Sequence, residues 1–145
     1  LKKRIILFLI SVFGIVIYLL FYHNDVMLAN SKNVTYHQGD FSIHLRVENI
    51  HNGIKVYRAL EYNGDRPVMV KHRTPLVSIS LDEKNHDFTG SNVSKMLEPG
   101  DSYRPQGTKQ FRIPGRGQYK IHFLARFQVG EEEVVREESE ILQFE

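Results

Sequence analysis

The chain has 145 residues, 19 basic side chains against 17 acidic ones, 41% hydrophobic residues and no cysteine. The missing thiol excludes disulfide staples, thiolate zinc sites and cysteine nucleophiles. With an N-terminal apolar segment set aside, about 115 residues remain, enough for one domain with its own core and too few for two.

The N-terminus carries the strongest pattern. Lys2, Lys3 and Arg4 precede Ile5 to Tyr22, a stretch of 18 residues without a charge. As a helix it spans roughly 27 Å, close to a hydrocarbon core of about 30 Å. Tyr18 and Tyr22 stand towards the far end, where amphipathic rings favour the membrane interface. The expected organisation is a basic cytoplasmic stub at 1–4, a transmembrane signal-anchor helix at 5–22, a tether at 23–40 and a domain at 41–145. By the positive-inside rule the domain lies outside, giving a single-pass cell-membrane protein with an extracytoplasmic C-terminal domain. A cleaved signal peptide is the alternative, but it would have a shorter apolar region and a small-residue site; Met27 stands two positions before Ala29, a poor match. The lipoprotein route needs a cysteine. Leu1 in the first position is expected to reflect either a truncated chain or, the preferred reading, an alternative bacterial start codon.

The anchor also accounts for the charge. Its three cations leave 16 basic against 17 acidic residues outside, a near-neutral domain without the basic excess of a nucleic-acid binder. A domain of this size with no disulfide relies on apolar packing alone, which is more typical of bacteria than of secreted animal modules.

Beyond the tether, period-2 alternation dominates. Phe41, Ile43, Leu45 and Val47 alternate with Ser42, His44, Arg46 and Glu48, a half-buried strand ended by His51-Asn52-Gly53. Further strands are predicted at 54–62, 67–71 and 76–81, with Asn63-Gly64-Asp65 and Thr74-Pro75 as turns. Residues 82–101 are mostly polar, with a return to the sheet near 93–97. A strand at 108–113 leads to the Pro114–Gly117 turn. Then Tyr119, Ile121, Phe123, Ala125, Phe127 and Val129 define one apolar face, which only Leu124 interrupts from the other side. A closing strand runs from Glu133 to Phe144. About seven strands and no helix beyond the anchor fit an all-β, immunoglobulin-like antiparallel sandwich.

Tyr119 stands two residues before the inward Ile121, the spacing of a tyrosine corner, in which the phenol bonds back to nearby backbone. With Tyr62-Asn63-Gly64-Asp65-Arg66-Pro67-Val68 and Leu97-Glu98-Pro99-Gly100-Asp101, this resembles bacterial immunoglobulin-like domains. In outline it is similar to the intracellular proteinase inhibitor-like (BsuPI-like) family over residues 41–130. The resemblance implies the architecture, and protease inhibition or regulation as an alternative function. The membrane anchor departs from an intracellular inhibitor, and no inhibitory loop is identifiable.

Chemistry is sparse. His37, His44 and His51 recur every seven residues, but in a strand that is about 23 Å with a change of face, which is not ligand geometry. His44 and His122 lie on the polar sides of their strands and would form a cross-strand pair if those strands were neighbours. Asp82, Glu83, Asn85 and Asp87 offer oxygens without the spacing of a calcium loop. Glu131–Glu133, Glu137, Glu138 and Glu140 are expected on the exposed side of an edge strand, where charge discourages aggregation. No serine sits in a nucleophile elbow. Asn33-Val34-Thr35 and Asn92-Val93-Ser94 match the glycosylation sequon. No catalytic residue, cofactor or metal is expected. The segment Tyr103, Arg104, Lys109, Phe111 and Arg112 mixes aromatic and basic residues around a Pro/Gly loop and is the candidate contact for an acidic partner or a polyanionic cell wall. Lys71-His72-Arg73 is a second basic turn. The expected function is a membrane-tethered, non-catalytic interaction domain whose partner is another envelope protein.

Overall fold

The computed structural model describes residues 2–22 and 26–145, with helix side chains described at Ile5 and at 10–19. Helix α1 covers Lys2–Tyr22. Its described large apolar side chains are exposed, from 39% for Ile17 to 67% for Phe13. Taken over the described residues, no helix is long and apolar enough to cross a membrane. Within the uncharged run from Ile5 to Tyr22 the side chains at 6–9 and 20–22 lie outside the described ones, as do those of Lys2, Lys3 and Arg4. The first residues of the expected tether, His23, Asn24 and Asp25, also lie outside the described residues.

The remainder is an all-β sandwich. Ten strands follow: β1 (Lys32–Gln38), β2 (Phe41–Ile50), β3 (Gly53–Tyr62), β4 (Val68–Arg73), β5 (Val77–Leu81), β6 (Asn92–Leu97), β7 (Ser102–Tyr103), β8 (Lys109–Arg112), β9 (Gly117–Val129) and β10 (Glu132–Phe144). They form two five-stranded antiparallel sheets. The front sheet runs β1-β2-β3, and both β7 and β8 pair with β3. The back sheet runs β10-β9-β4-β6, with β5 also on β9.

The strongest alternation forms the longest pairing. Strand β9 pairs with β10 from Gly117↔Phe144 to Val129↔Glu132, and Ile121, Phe123, Ala125 and Phe127 are buried between the sheets. Phe127 meets Phe41 of β2 edge-on, with centroids 4.9 Å apart, and Phe41 lies 5.1 Å from Tyr62. These rings tie front to back where each sheet presents its apolar face. The Glu98–Asp101 turn has Pro99 in its first central position and Gly100 at φ 86° in its second, the sequence a type II turn requires. The Asp101 carboxylate accepts from the Glu98 amide at 2.9 Å, and the turn docks on β3 through Tyr62 N to Asp101 O at 3.0 Å.

Three expectations differ from the structure. First, residues 32–38 are a strand and not a tether: β1 pairs with β2 from Lys32↔Val47 to Gln38↔Phe41. Leu28, upstream of it, is buried and bridges to Phe144. The domain therefore includes residues from about Val26 onward, because the core needs Leu28 and β1 to close its side. Second, Glu138 and Glu140 point inward on β10. The Glu140 carboxylate accepts from the Tyr36 hydroxyl at 2.8 Å and pairs with Lys32, while Arg136 pairs with Glu138 and stacks over the Tyr36 ring. The edge strands β1 and β10 thus meet across a polar seam, a placement of charge that blunts sheet edges. Glu133 and Glu137 do face outward. Third, His44 and His122 are on opposite sheets. His122 is buried, not solvated, because the loop at 82–91 folds over the outer face of the back sheet. Asn85 and Asp87 amides donate to the Ser80 and Ser78 hydroxyls, and His122 Nε2 contacts Asp82 O at 3.0 Å.

Candidate binding groove

Strands β7 and β8 both lie along β3 but leave a gap between them. Strand β7 pairs with Leu60 and Glu61, β8 with Gly53 to Val56, so residues 57–59 have no strand partner on that side. Pro105 has no amide hydrogen to offer a ladder, and residues 104–108 leave the sheet as a loop. The gap opens a groove of about 410 Å³ on the outer face of the front sheet.

The five residues of the sequence-derived contact segment divide across this geometry. The Tyr103 ring points inward; its hydroxyl lies 3.0 Å from His72 Nε2 and the rings meet edge-on at 5.6 Å. With His72 Nδ1 at 3.0 Å from Arg73 O, the consistent tautomer has Nδ1–H donating to that carbonyl and Nε2 accepting from Tyr103. Tyr103 is a lock between the sheets, and burial pushes its phenol pKa up. Phe111 packs against the core. The Lys109 ammonium donates to Ile79 O at 2.7 Å across the sandwich, and its pKa is lowered by burial and then by Arg58. Arg104 and Arg112 are exposed, but Leu60, the partner of Tyr103 beside Arg104, and Gly53, the partner of Arg112, are seven residues apart on β3, about 23 Å. The segment is therefore not one contact patch. Among the five, only Arg104 lines the groove. Tyr119 belongs elsewhere: its hydroxyl donates to Gly115 O at 2.9 Å and its ring meets Phe144 at 5.4 Å.

Two arginines join Arg104, and the sequence reading had singled out neither. Arg46 of β2 points outward, stacks 4.2 Å from the Tyr57 ring centroid and pairs with Glu48 at 3.1 Å. Arg58 sits on the inward face of β3, in register with Ile54, Val56, Leu60 and Tyr62, and is only 9% exposed. Its guanidinium donates to Val77 O at 2.6 Å and to Gly107 O at 2.8 Å. Burial alone lowers its pKa; no carboxylate offsets it. The signal available in the sequence was a single cation in an inward, otherwise apolar alternation. Arg46 and Arg104 thus border the groove, whereas the Arg58 guanidinium is turned inward to Val77 O and Gly107 O; no carboxylate side chain lines the groove. Glu61, nearby on β3, is engaged by His44 at 2.6 Å.

A larger concavity of about 680 Å³ lies on the outer face of the back sheet, with Lys71, Arg73 and Arg126. Two of its cations are engaged, Arg126 with Glu133 at 3.7 Å and over the Phe88 ring, and Arg73 with the carbonyls of Thr89 and Gly90 at 3.4 Å, and Glu133 itself lines the concavity. Among the described residues, no group of three or more His, Asp or Glu side chains is placed to hold a metal ion.

No family model and no curated protein matches the chain. A solved structure, the GAE domain of GGA2p from Saccharomyces cerevisiae, is similar over 76% of this chain and 96% of that one, at 9% identity and a TM-score of 0.41. A likeness of that degree carries no argument about what this chain does.

Proposed function

We propose that this chain is a membrane-tethered, non-catalytic binding module whose sandwich, of the immunoglobulin-like kind, recognises an anionic partner in the cell envelope. The observation that carries the reading is the groove at the β7/β8 gap, which Arg46 and Arg104 border and whose lining residues include no carboxylate. Cationic clusters of this sort steer and orient anionic partners. The tether is supported by α1, whose described apolar side chains are exposed, and by the basic residues that precede it. The immunoglobulin-like label is supported by the Tyr119 corner, with its hydroxyl returned to Gly115 just before the buried Ile121.

Two measurements test this reading. The full chain should stay in the membrane fraction after carbonate and high-salt washes and should leave it when Val12 and Phe13 are both changed to Lys. Crosslinking in intact membranes should recover one specific partner with the wild type and lose it with Arg46→Glu/Arg104→Glu. An identical set of crosslinked species from both chains would overturn the groove as the contact.

A further inference from the structure

Three imidazole nitrogens at one loop lack a hydrogen-bond partner. Residues 82–91 leave β5, fold over the outer face of the back sheet and lead into β6. His86 stands in that loop, half-buried, and both of its ring nitrogens are out of contact with solvent and without a partner among the described residues. His122 of β9 lies beneath the loop, 4% exposed, and its Nδ1 is likewise unpartnered. Its Nε2 is 3.0 Å from Asp82 O, an acceptor, so Nε2 carries the proton and Nδ1 is the bare nitrogen of a neutral ring. A protonated imidazole is a donor at both nitrogens. In neither ring does the extra N–H meet an acceptor.

We propose that residues 82–91 are a lid released by protons: it closes over the outer face of the back sheet while His86 is neutral and lifts when that ring takes up a proton.

The lid is pinned at its ends and lightly held in its middle. At one end the Asp82 amide donates to Lys120 O at 2.6 Å, and the Lys120 amide returns a bond to the Asp82 carboxylate at 3.0 Å. At the other the Gly90 amide donates to Thr74 O at 3.0 Å. Between them, the Asn85 and Asp87 amides reach the Ser80 and Ser78 hydroxyls at 3.2 and 3.4 Å. Lys84 adds an ion pair to Glu137 at 2.5 Å, exposed on both sides and therefore weak. Segments with so few buried contacts open without unfolding the rest.

Burial is the largest influence on His86 and lowers its pKa. The charged groups around it come from four elements. Glu137 of β10 favours the proton, but Lys84 already engages that carboxylate. His122 of β9, Lys84 of the loop itself and Lys109 of β8 all oppose it, and the net effect stays downward. Above about pH 6.5 the ring is neutral with the lid open or closed, and closure has its full strength. Below that value the ring of the open lid takes the proton first. Opening then gains up to about tenfold per pH unit, until the pH reaches the lower pKa of the closed state. Lifting the lid uncovers Ser78, Ser80 and His122, which neutral pH keeps buried.

The test follows amide exchange in the full chain, held in a non-ionic detergent, at pH 7.5 and pH 5.5. Each rate is divided by that of an unstructured peptide at the same pH. Protection of Asn85 and Asp87 should fall at least about fivefold at the lower pH, while the amides shared by β9 and β10 keep theirs. His86→Gln, which cannot titrate, should show equal protection at both values. By NMR the wild-type His86 ring should titrate below about 6.5. Equal protection of the wild type at both values, or a fall that His86→Gln retains, would overturn the lid. A His86 ring that titrates at or above about 6.5 would overturn it as well, and this reading decides if His86→Gln does not fold. Protection lost throughout β9 and β10 would mean acid unfolding of the whole domain and would also sink the proposal.

Discussion

Glu140 is where charge rather than apolar packing closes the sandwich, so Glu140→Gln should show how much that closure is worth. In the wild type its carboxylate accepts from the Tyr36 hydroxyl at 2.8 Å and pairs with Lys32, with side-chain exposures of 24% for Glu140 and 33% for Lys32. The glutamine keeps an oxygen for Tyr36 and removes the charge. A hydrogen bond to a charged group contributes about 1 kcal/mol more than a neutral one, and a partly exposed ion pair adds at most about 1 kcal/mol after screening. The expected loss is therefore about 1–2 kcal/mol at pH 7, or roughly 4–8 °C in Tm for a domain of this size.

The pH dependence gives the sharper check. Burial raises the Glu140 pKa, but hydrogen bonds from Lys32 and Tyr36 and the Lys32 charge outweigh it, and the net shift is downward. A carboxyl depressed on folding stabilises the native state above its unfolded pKa, about 4.3, and loses that contribution as pH falls through the lower folded value. Tyr36 does not blur the result: its phenol pKa is raised, by burial first and by Glu140 next, so it stays protonated throughout. Urea unfolding of wild type and Glu140→Gln at pH 7 and pH 3 should show the stability gap at neutral pH and a smaller one at pH 3. A gap of equal size at both values would mean that the substitution acts through packing, and the electrostatic account of the seam would be wrong.

Three other outcomes follow from the contacts. Gly53→Ala places a Cβ 2.1 Å from the Phe111 carbonyl oxygen, so it should part β8 from β3 and cost about 2–3 kcal/mol in urea unfolding; an unchanged midpoint would refute the register. Tyr119→Phe keeps the ring on Phe144 and removes only the bond to Gly115, which should cost about 1 kcal/mol, measured the same way. Arg58→Met removes the donor of the buried Val77 carbonyl and of Gly107 O, and should cost about 1–3 kcal/mol in urea unfolding; an unchanged or raised Tm would show that Arg58 is not a structural strut between them.

What could be read from the sequence followed from how cleanly each strand separates its faces. Strand β9 puts six apolar residues on one side, and its extent and inward face were plain. Strand β1 was read as tether because its inward positions are Lys32, Val34, Tyr36 and Gln38, and only the charged residues of β10 opposite give that mixture a place inside. The same blindness assigned Glu138 and Glu140 to solvent. The burial of His122 was out of reach for another reason: the loop at 82–91 covers it from long range, through backbone amides on Ser78 and Ser80, and no local pattern records that.

Arg58 differs from these cases because its anomaly was local. Ile54, Val56, Leu60 and Tyr62 set the inward face of β3, and one guanidinium interrupts it at the position where both flanking strands leave off. A polar residue in such a place is usually matched by an opposite charge on the facing sheet, as Lys32 is matched by Glu140. Here the facing sheet offers Val77 O, the loop offers Gly107 O, and the ionisable side chains around the adjoining cavity are Lys109 and Asp87. Hydrocarbon at position 58 would avoid the desolvation cost of the cation but would leave Val77 O and Gly107 O without their donor. Arg58 is thus held by backbone carbonyls of two different elements, Val77 of the facing sheet and Gly107 of the loop, in place of an ion pair.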